Sequence, residues 1–165
     1  MPSDVRDIAL VGLCVIAVYT DVTAGKIKNW LTFPMMAFGI VLSPMVGNPW
    51  WEGAVGLVAA LAVGVVFWRV IPALKAGDVK MLMAAGSLLG PQGGIRAILL
   101  SALLFFPVGV VFLIARGRMK NFFRVAGGFF KNPTKRDSNT TLMIHAPVIA
   151  AAIALARLQS WPELW

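Results

Sequence analysis

Charge is scarce in this chain. Of its 165 residues only 13% are Asp, Glu, Lys or Arg, about half the share of an ordinary soluble domain. It has one cysteine and one histidine. A single thiol, Cys14, inside an apolar run excludes a disulfide framework and a cysteine-based metal site, and it leaves the redox compartment undetermined. A single imidazole, His145, makes a poor metal site and reads as a structural histidine at the start of the last helix. No Ser–His or Cys–His nucleophile system stands out, and neither a metal nor a cofactor is expected. Internal repeats and low-complexity tracts are lacking too.

What is present is apolar. Hydrophobic residues make up 59% of the chain, with a mean hydropathy of +0.81. Apolar runs of roughly 18 residues or more read as membrane spans, and several occur here. The expected fold is all-α: a polytopic membrane helix bundle of about six spans, at residues 4–24, 30–48, 53–74, 78–90, 95–115 and 142–158. The apolar stretch after residue 7 resembles a signal sequence. Its flank, MPSDVRD, is not net positive and no clear small-residue cleavage site follows, so a retained first helix is expected.

The net charge of +8 points away from nucleic acid once its distribution is followed. Twelve of the 15 Lys and Arg residues fall in three loops on one side of the expected bundle. Arg6, Arg96 and Arg157 are left for the other side. Basic residues collect in cytoplasmic loops, which puts both termini outside and these three loops inside. The longest, at about 116–141, alternates Phe and Met with basic residues at helical spacing. It is expected to lie in the interface against anionic lipid. The whole chain, 1–165, then reads as one transmembrane domain.

Seven acidic residues remain to be explained. Asp4, Asp7, Glu52, Asp137 and Glu163 fall in loops or at outer helix ends as solvated charges. Asp21 and Asp78 do not. Only thirteen uncharged residues, 8–20, precede Asp21, so it sits near the inner end of the first helix, where the dipole disfavours a carboxylate. Position alone leaves two readings open, a cap for the VTAGK turn or a functional acid. Asp78, in KAGDVKML, opens the fourth helix and taken alone reads as its N-cap. Gly77 beside it is either an ordinary loop glycine or a site of close backbone approach and unusual dihedrals.

The pair matters more than either member. The charge-derived topology puts both acids at the same inner level of one small bundle. Two carboxylates brought together share a proton at intermediate pH, the arrangement aspartic proteases use to activate water. A non-catalytic component of a secretion assembly, or an ion-conducting subunit using the same carboxylates, is the alternative.

At these residues the chain resembles the type IV prepilin peptidases, membrane aspartic proteases of the GxGD type, and most closely the small peptidases of Flp (Tad-type) pilus systems. Asp21-VTAGKI-x-Asn29-WLT is similar to the family's Asp followed by Ile-Pro-Asn. Ala76-Gly77-Asp78-Val79-Lys80 is similar to its Gly-x-Gly-Asp-Val-Lys signature. The resemblance implies that Asp21 and Asp78 are the catalytic pair of an endopeptidase in a bacterial inner membrane. Its partners would be prepilin or pseudopilin leaders, short and basic, cut at the cytoplasmic face, typically after a glycine. Gly77, Lys80 and Asn29 match motif positions as supporting residues. Lys80 is expected either to tune the pair or to snorkel to lipid phosphate. Three positions depart from the pattern: Lys75 for the first glycine of GxGD, Lys28 for proline, and MIHAP in the last span where the family often has Pro-Tyr-Gly. The larger members also N-methylate the trimmed pilin through an insert with paired cysteines. With one cysteine here, methyl transfer is not expected.

Overall fold

Three helices in the structure, a computed structural model that describes residues 2–70, 74–115 and 145–158, are long and apolar enough to cross a membrane. They hold the stretches Val5–Ala24, Trp50–Arg69 and Ala76–Phe105. In all, the described residues form five helices: α1 (Pro2–Ala24), α2 (Asn29–Met45), α3 (Trp50–Val70), α4 (Ala76–Ala115) and α5 (Ala146–Leu158). The basic segment at 116–141 lies outside the described residues, as do Asp137 and Glu163.

The exterior carries many large apolar side chains, and the largely apolar core also holds buried polar groups. Val11, Val15, Tyr19, Val58, Val66, Leu99 and Leu103 are exposed, while Asp21, Asp78 and His145 are buried. Large exposed apolar side chains around a polar-containing interior suit a bundle solvated by lipid. The exposed indoles of Trp50 and Trp51 at the start of α3 suit an interfacial belt. Two buried hydroxyls satisfy themselves locally: Ser87 donates to the Ala84 carbonyl at 2.8 Å and Ser101 to the Ile98 carbonyl at 2.7 Å.

Helix packing in lipid depends on close backbone approach, since lipid tails offer no hydrophobic contrast. Small residues supply it here. A Cβ on Gly86 would lie 2.6 Å from the Gly56 carbonyl oxygen and 2.7 Å from Cβ of Ala60, and one on Gly39 would strike Ser87. These contacts lock α2 and α3 against the first arm of α4.

The fourth and fifth helices expected from the sequence are the two arms of α4. Gly90 leaves the helical region there, at φ 75° and ψ −178°, a conformation open to glycine and rarely to other residues. The backbones of Gly86 and Gly94 then touch, a Cβ on Gly94 lying 2.9 Å from Cα of Gly86. Eight residues of straight helix would separate them by about 12 Å. The turn carries Phe105 back to the level of Asp78, where both meet His145. A straight helix would put those 27 residues about 40 Å apart.

Candidate active site

Three segments bury a stripe at 3–4-residue spacing that runs to one of the residues Asp21, Asp78 and His145. On α1 the stripe is Leu10, Leu13, Ala17 and Asp21; on α4 it is Asp78, Met81, Leu82, Ala85 and Leu88. On α5 it continues from His145 through Ile149, Ala152, Ile153 and Ala156. Periodicity of this kind faces one side of a helix inward. The last turn of α1, the first turn of α4 and the entrance to α5 meet at one end of the bundle. Asp21 and Asp78 are each 1% exposed and His145 is 2% exposed.

Asp21 does not cap the turn that follows it. That turn is closed by Gly25, at φ 64°, whose N–H donates to the Asp21 carbonyl at 2.9 Å. The Asp21 side chain reaches another helix instead. Its Oδ2 accepts from the backbone N–H of His145 at 2.9 Å and of Ala146 at 3.0 Å. A carboxylate badly placed for the dipole of its own helix is thus well placed at the N-terminus of α5.

Asp78 is not an N-cap, because α4 begins two residues earlier at Ala76. Lys75 takes that position, and its N–H donates to Oδ2 of Asp78 at 2.8 Å. This is the reciprocal half of a capping box, in which an acid in the first turn satisfies the N-terminal donor. Each aspartate therefore has its Oδ2 held by backbone at a helix start. The two Oδ1 atoms are buried and take no hydrogen bond from the described residues. A buried polar atom left so calls for a specific reason.

Two residues join the acids. Lys75 donates from Nζ to the Gly25 carbonyl at 3.1 Å and lies 3.5 Å from Oδ1 of Asp21, while its backbone holds Asp78. His145 holds Asp21 by its backbone, and its Nδ1 lies 3.7 Å from Oδ2 of Asp78. The path through His145 alone limits the separation of the two carboxylates to roughly 10 Å. Sequence reading missed both roles: Lys75 stood only as a departure from a motif, and His145 as a structural histidine. The one local signal was the three-residue spacing of Lys75 and Asp78, which is that of N-cap to N3.

The remaining motif residues sit beside this cluster. Gly77 has no positive φ; it is helical, and a Cβ there would meet Ile27 at 3.4 Å, an ordinary contact. Gly77 is therefore neither a loop residue nor a site of unusual dihedrals, the two readings left open for it. Lys80 neither joins an aspartate through a described contact nor reaches outward alone. Its Nζ donates to Oδ1 of Asn29 at 2.9 Å and lies 5.1 Å from the Phe33 ring centroid, which ties the start of α2 to α4 by a charge-assisted bond and a cation–π contact. A cavity of about 510 Å³ lies at the other end of the bundle, between Trp51, Glu52, Pro91, Arg96 and Arg157. It is remote from both acids.

A sequence profile described as the type IV leader peptidase family matches residues 8–113, a stretch that includes both aspartates. The chain belongs to the type IV leader peptidase family. It is also similar to a prepilin peptidase, EppA, of Methanothermobacter thermautotrophicus, with 38% identity over 82 residues. That match takes in 46% of this chain and 21% of the archaeal protein, so this leader peptidase family member aligns with about a fifth of its relative's length. No solved structure matches the chain.

Proposed function

We propose that the chain is a membrane-embedded aspartic endopeptidase that removes the short basic leader from type IV prepilins of the Flp class. One observation carries this reading. Two buried carboxylates from distant parts of the chain meet at one end of the bundle, each with one oxygen anchored and the other taking no hydrogen bond from the described residues. In such a pair one carboxylate takes a proton from water, and the resulting hydroxide adds to the scissile carbonyl carbon. The other acid protonates the carbonyl oxygen, and collapse of the tetrahedral intermediate passes a proton to the departing amine. Asp21 and Asp78 are the catalytic pair in this proposal. Gly77, Lys80 and Asn29 support it by packing the start of α4 against the α1–α2 connection and α2.

The proposal places the active site at the cytoplasmic face of a bacterial inner membrane, with six crossings, both termini outside and residues 1–165 as one peptidase domain. The concentration of Lys and Arg in three loops supports this orientation, and the turn at Gly90, which divides α4 into two arms, supports the count. Anionic lipid of the inner leaflet is the proposed contact of the basic segment at 116–141. A second reading, a scaffold of the pilus assembly whose aspartates serve only as caps, has one observation in its favour: both carboxylates do cap helix starts.

Co-expression with a small single-span prepilin carrying a basic leader separates the two. Under the peptidase reading Asp21→Asn and Asp78→Asn each abolish leader removal while the protein accumulates in the membrane. A singly substituted protein that trims the leader normally would leave only the scaffold.

A further inference from the structure

Lys75 and His145 contact the acid pair in a crossed pattern. The backbone N–H of Lys75 holds Asp78 at 2.8 Å while its ammonium lies 3.5 Å from Asp21. The backbone N–H of His145 holds Asp21 at 2.9 Å while its Nδ1 lies 3.7 Å from Asp78. Lys75 and His145 thus each give a main-chain donor to one aspartate and bring a nitrogen-bearing side chain to the other, with Ala146 adding a second main-chain donor to Asp21. We propose that Lys75 and His145 are positioning residues, a crossed clamp that fixes the separation and facing of the two carboxylates. The proposal rests on the reading of Asp21 and Asp78 as the catalytic pair.

The physical need for a clamp is direct. Two carboxylates in a site of low dielectric repel each other, and three separate segments carry the pieces: α1, the start of α4 and the entrance to α5. Helix packing alone leaves the side chains free to turn apart. A cation beside one acid offsets that repulsion. Both clamping side chains are themselves fixed. The Lys75 ammonium is tethered to the Gly25 carbonyl at 3.1 Å, and the His145 ring packs on Phe105 with centroids 5.1 Å apart. Lys75 is 29% exposed in its side chain, whereas the groups it joins are nearly inaccessible, so its arm can be changed without opening the core.

The crossed pattern makes the proposal testable, because main-chain and side-chain roles separate. Replacing either side chain leaves both backbone N–H groups, and hence both helix caps, in place. The experiment uses the full chain in liposomes and a synthetic prepilin with a Lys/Arg-rich leader ending in glycine. Lys75→Met, Lys75→Gln, Lys75→Arg, His145→Ala and His145→Asn are compared with the wild type. A misplacement of about 1 Å in a catalytic group costs on the order of 100-fold in rate. Lys75→Met and His145→Ala are therefore expected to lower kcat by about tenfold to 100-fold, with KM changed less than about threefold. His145→Asn, which keeps a nitrogen near the Nδ1 position, and Lys75→Arg, which keeps the charge, are expected to recover most of that loss. Should Lys75→Met not fold, Lys75→Gln is read by the same criterion, since it retains a donor for the Gly25 carbonyl.

Asp21→Asn and Asp78→Asn accompany these variants. If both are inactive while folded Lys75 and His145 variants keep the wild-type kcat, the clamp is overturned and the catalytic pair stands. If the Asn variants cleave normally, the pair itself is overturned.

Discussion

Asp21 caps a helix from across the fold and is proposed to act in catalysis, and one pair of substitutions separates the two. Its Oδ2 accepts both N-terminal donors of α5, at 2.9 and 3.0 Å, from a position 1% exposed to solvent. A hydrogen bond to a charged acceptor contributes about 1.5–3 kcal/mol. The two bonds share one oxygen and are not additive, so about 3 kcal/mol is the fair figure for losing both. Asp21→Ala removes the acceptor and leaves two buried N–H groups without it. For a chain of this size, that lowers the Tm by roughly 6–12 °C. Asp21→Asn keeps an oxygen in place and gives up only the charge, which contributes about half of each bond. Its cost is about 1–2 kcal/mol, or roughly 2–8 °C. Proteolysis responds differently, because an amide can neither take the proton from water nor give one up. Both variants should lose prepilin cleavage by at least about 1,000-fold. Tryptophan fluorescence on heating in detergent micelles reads the first quantity, and gel mobility of the trimmed prepilin reads the second. An Asp21→Ala protein that melts with the wild type would refute the cap across the fold. An Asp21→Asn protein that cleaves would refute the catalytic role.

Further substitutions test the packing. Gly86→Ala drives a methyl group onto the Gly56 carbonyl and Ala60, at 2.6 and 2.7 Å. Overpacking of about 1–3 kcal/mol should outweigh the gain of about 1 kcal/mol in helix propensity, so its Tm falls. Gly12→Ala is the matched control: nothing lies within 4 Å of its Cβ, and its Tm should rise by the equivalent of about 0.5–1 kcal/mol. Gly90→Ala meets both a φ of 75° and the Glu52 carboxylate 2.9 Å away. It should cost about 1–3 kcal/mol from the backbone alone, seen as a lower Tm. A double-mutant cycle on Lys80 and Asn29 should return a coupling below about 1 kcal/mol, because their bond lies at the exposed edge.

Much of the site was legible before any coordinates. Asp21 and Asp78 stood out because neither belonged to a loop of solvated charge. The loop charges put them at one level, and the gap between the expected spans at 78–90 and 95–115 marked the turn that Gly90 makes. What could not be read was the face of each helix. In a soluble helix the polar side betrays the buried stripe; in lipid both sides are apolar, so Leu13 inside and Val15 outside look alike. The facing of Asp21 toward α5 was hidden for that reason. His145, and the reach of the Lys75 side chain to Asp21, were hidden for another. Capping signals are statistics of neighbours along the chain, and a carboxylate that caps a helix 124 residues away leaves no local trace.

Composition and charge distribution by themselves determined that the chain forms apolar helices and that two acids must be kept near one end of them. Those outcomes follow from transfer free energies and backbone sterics, which act residue by residue. Tertiary structure alone decided that the acids meet, which of their oxygens are anchored, and that a lysine and a histidine join them crosswise. Such contacts depend on helix rotation and on the close approach of Gly56 to Gly86, set by the packing of whole surfaces rather than by any single stretch of chain.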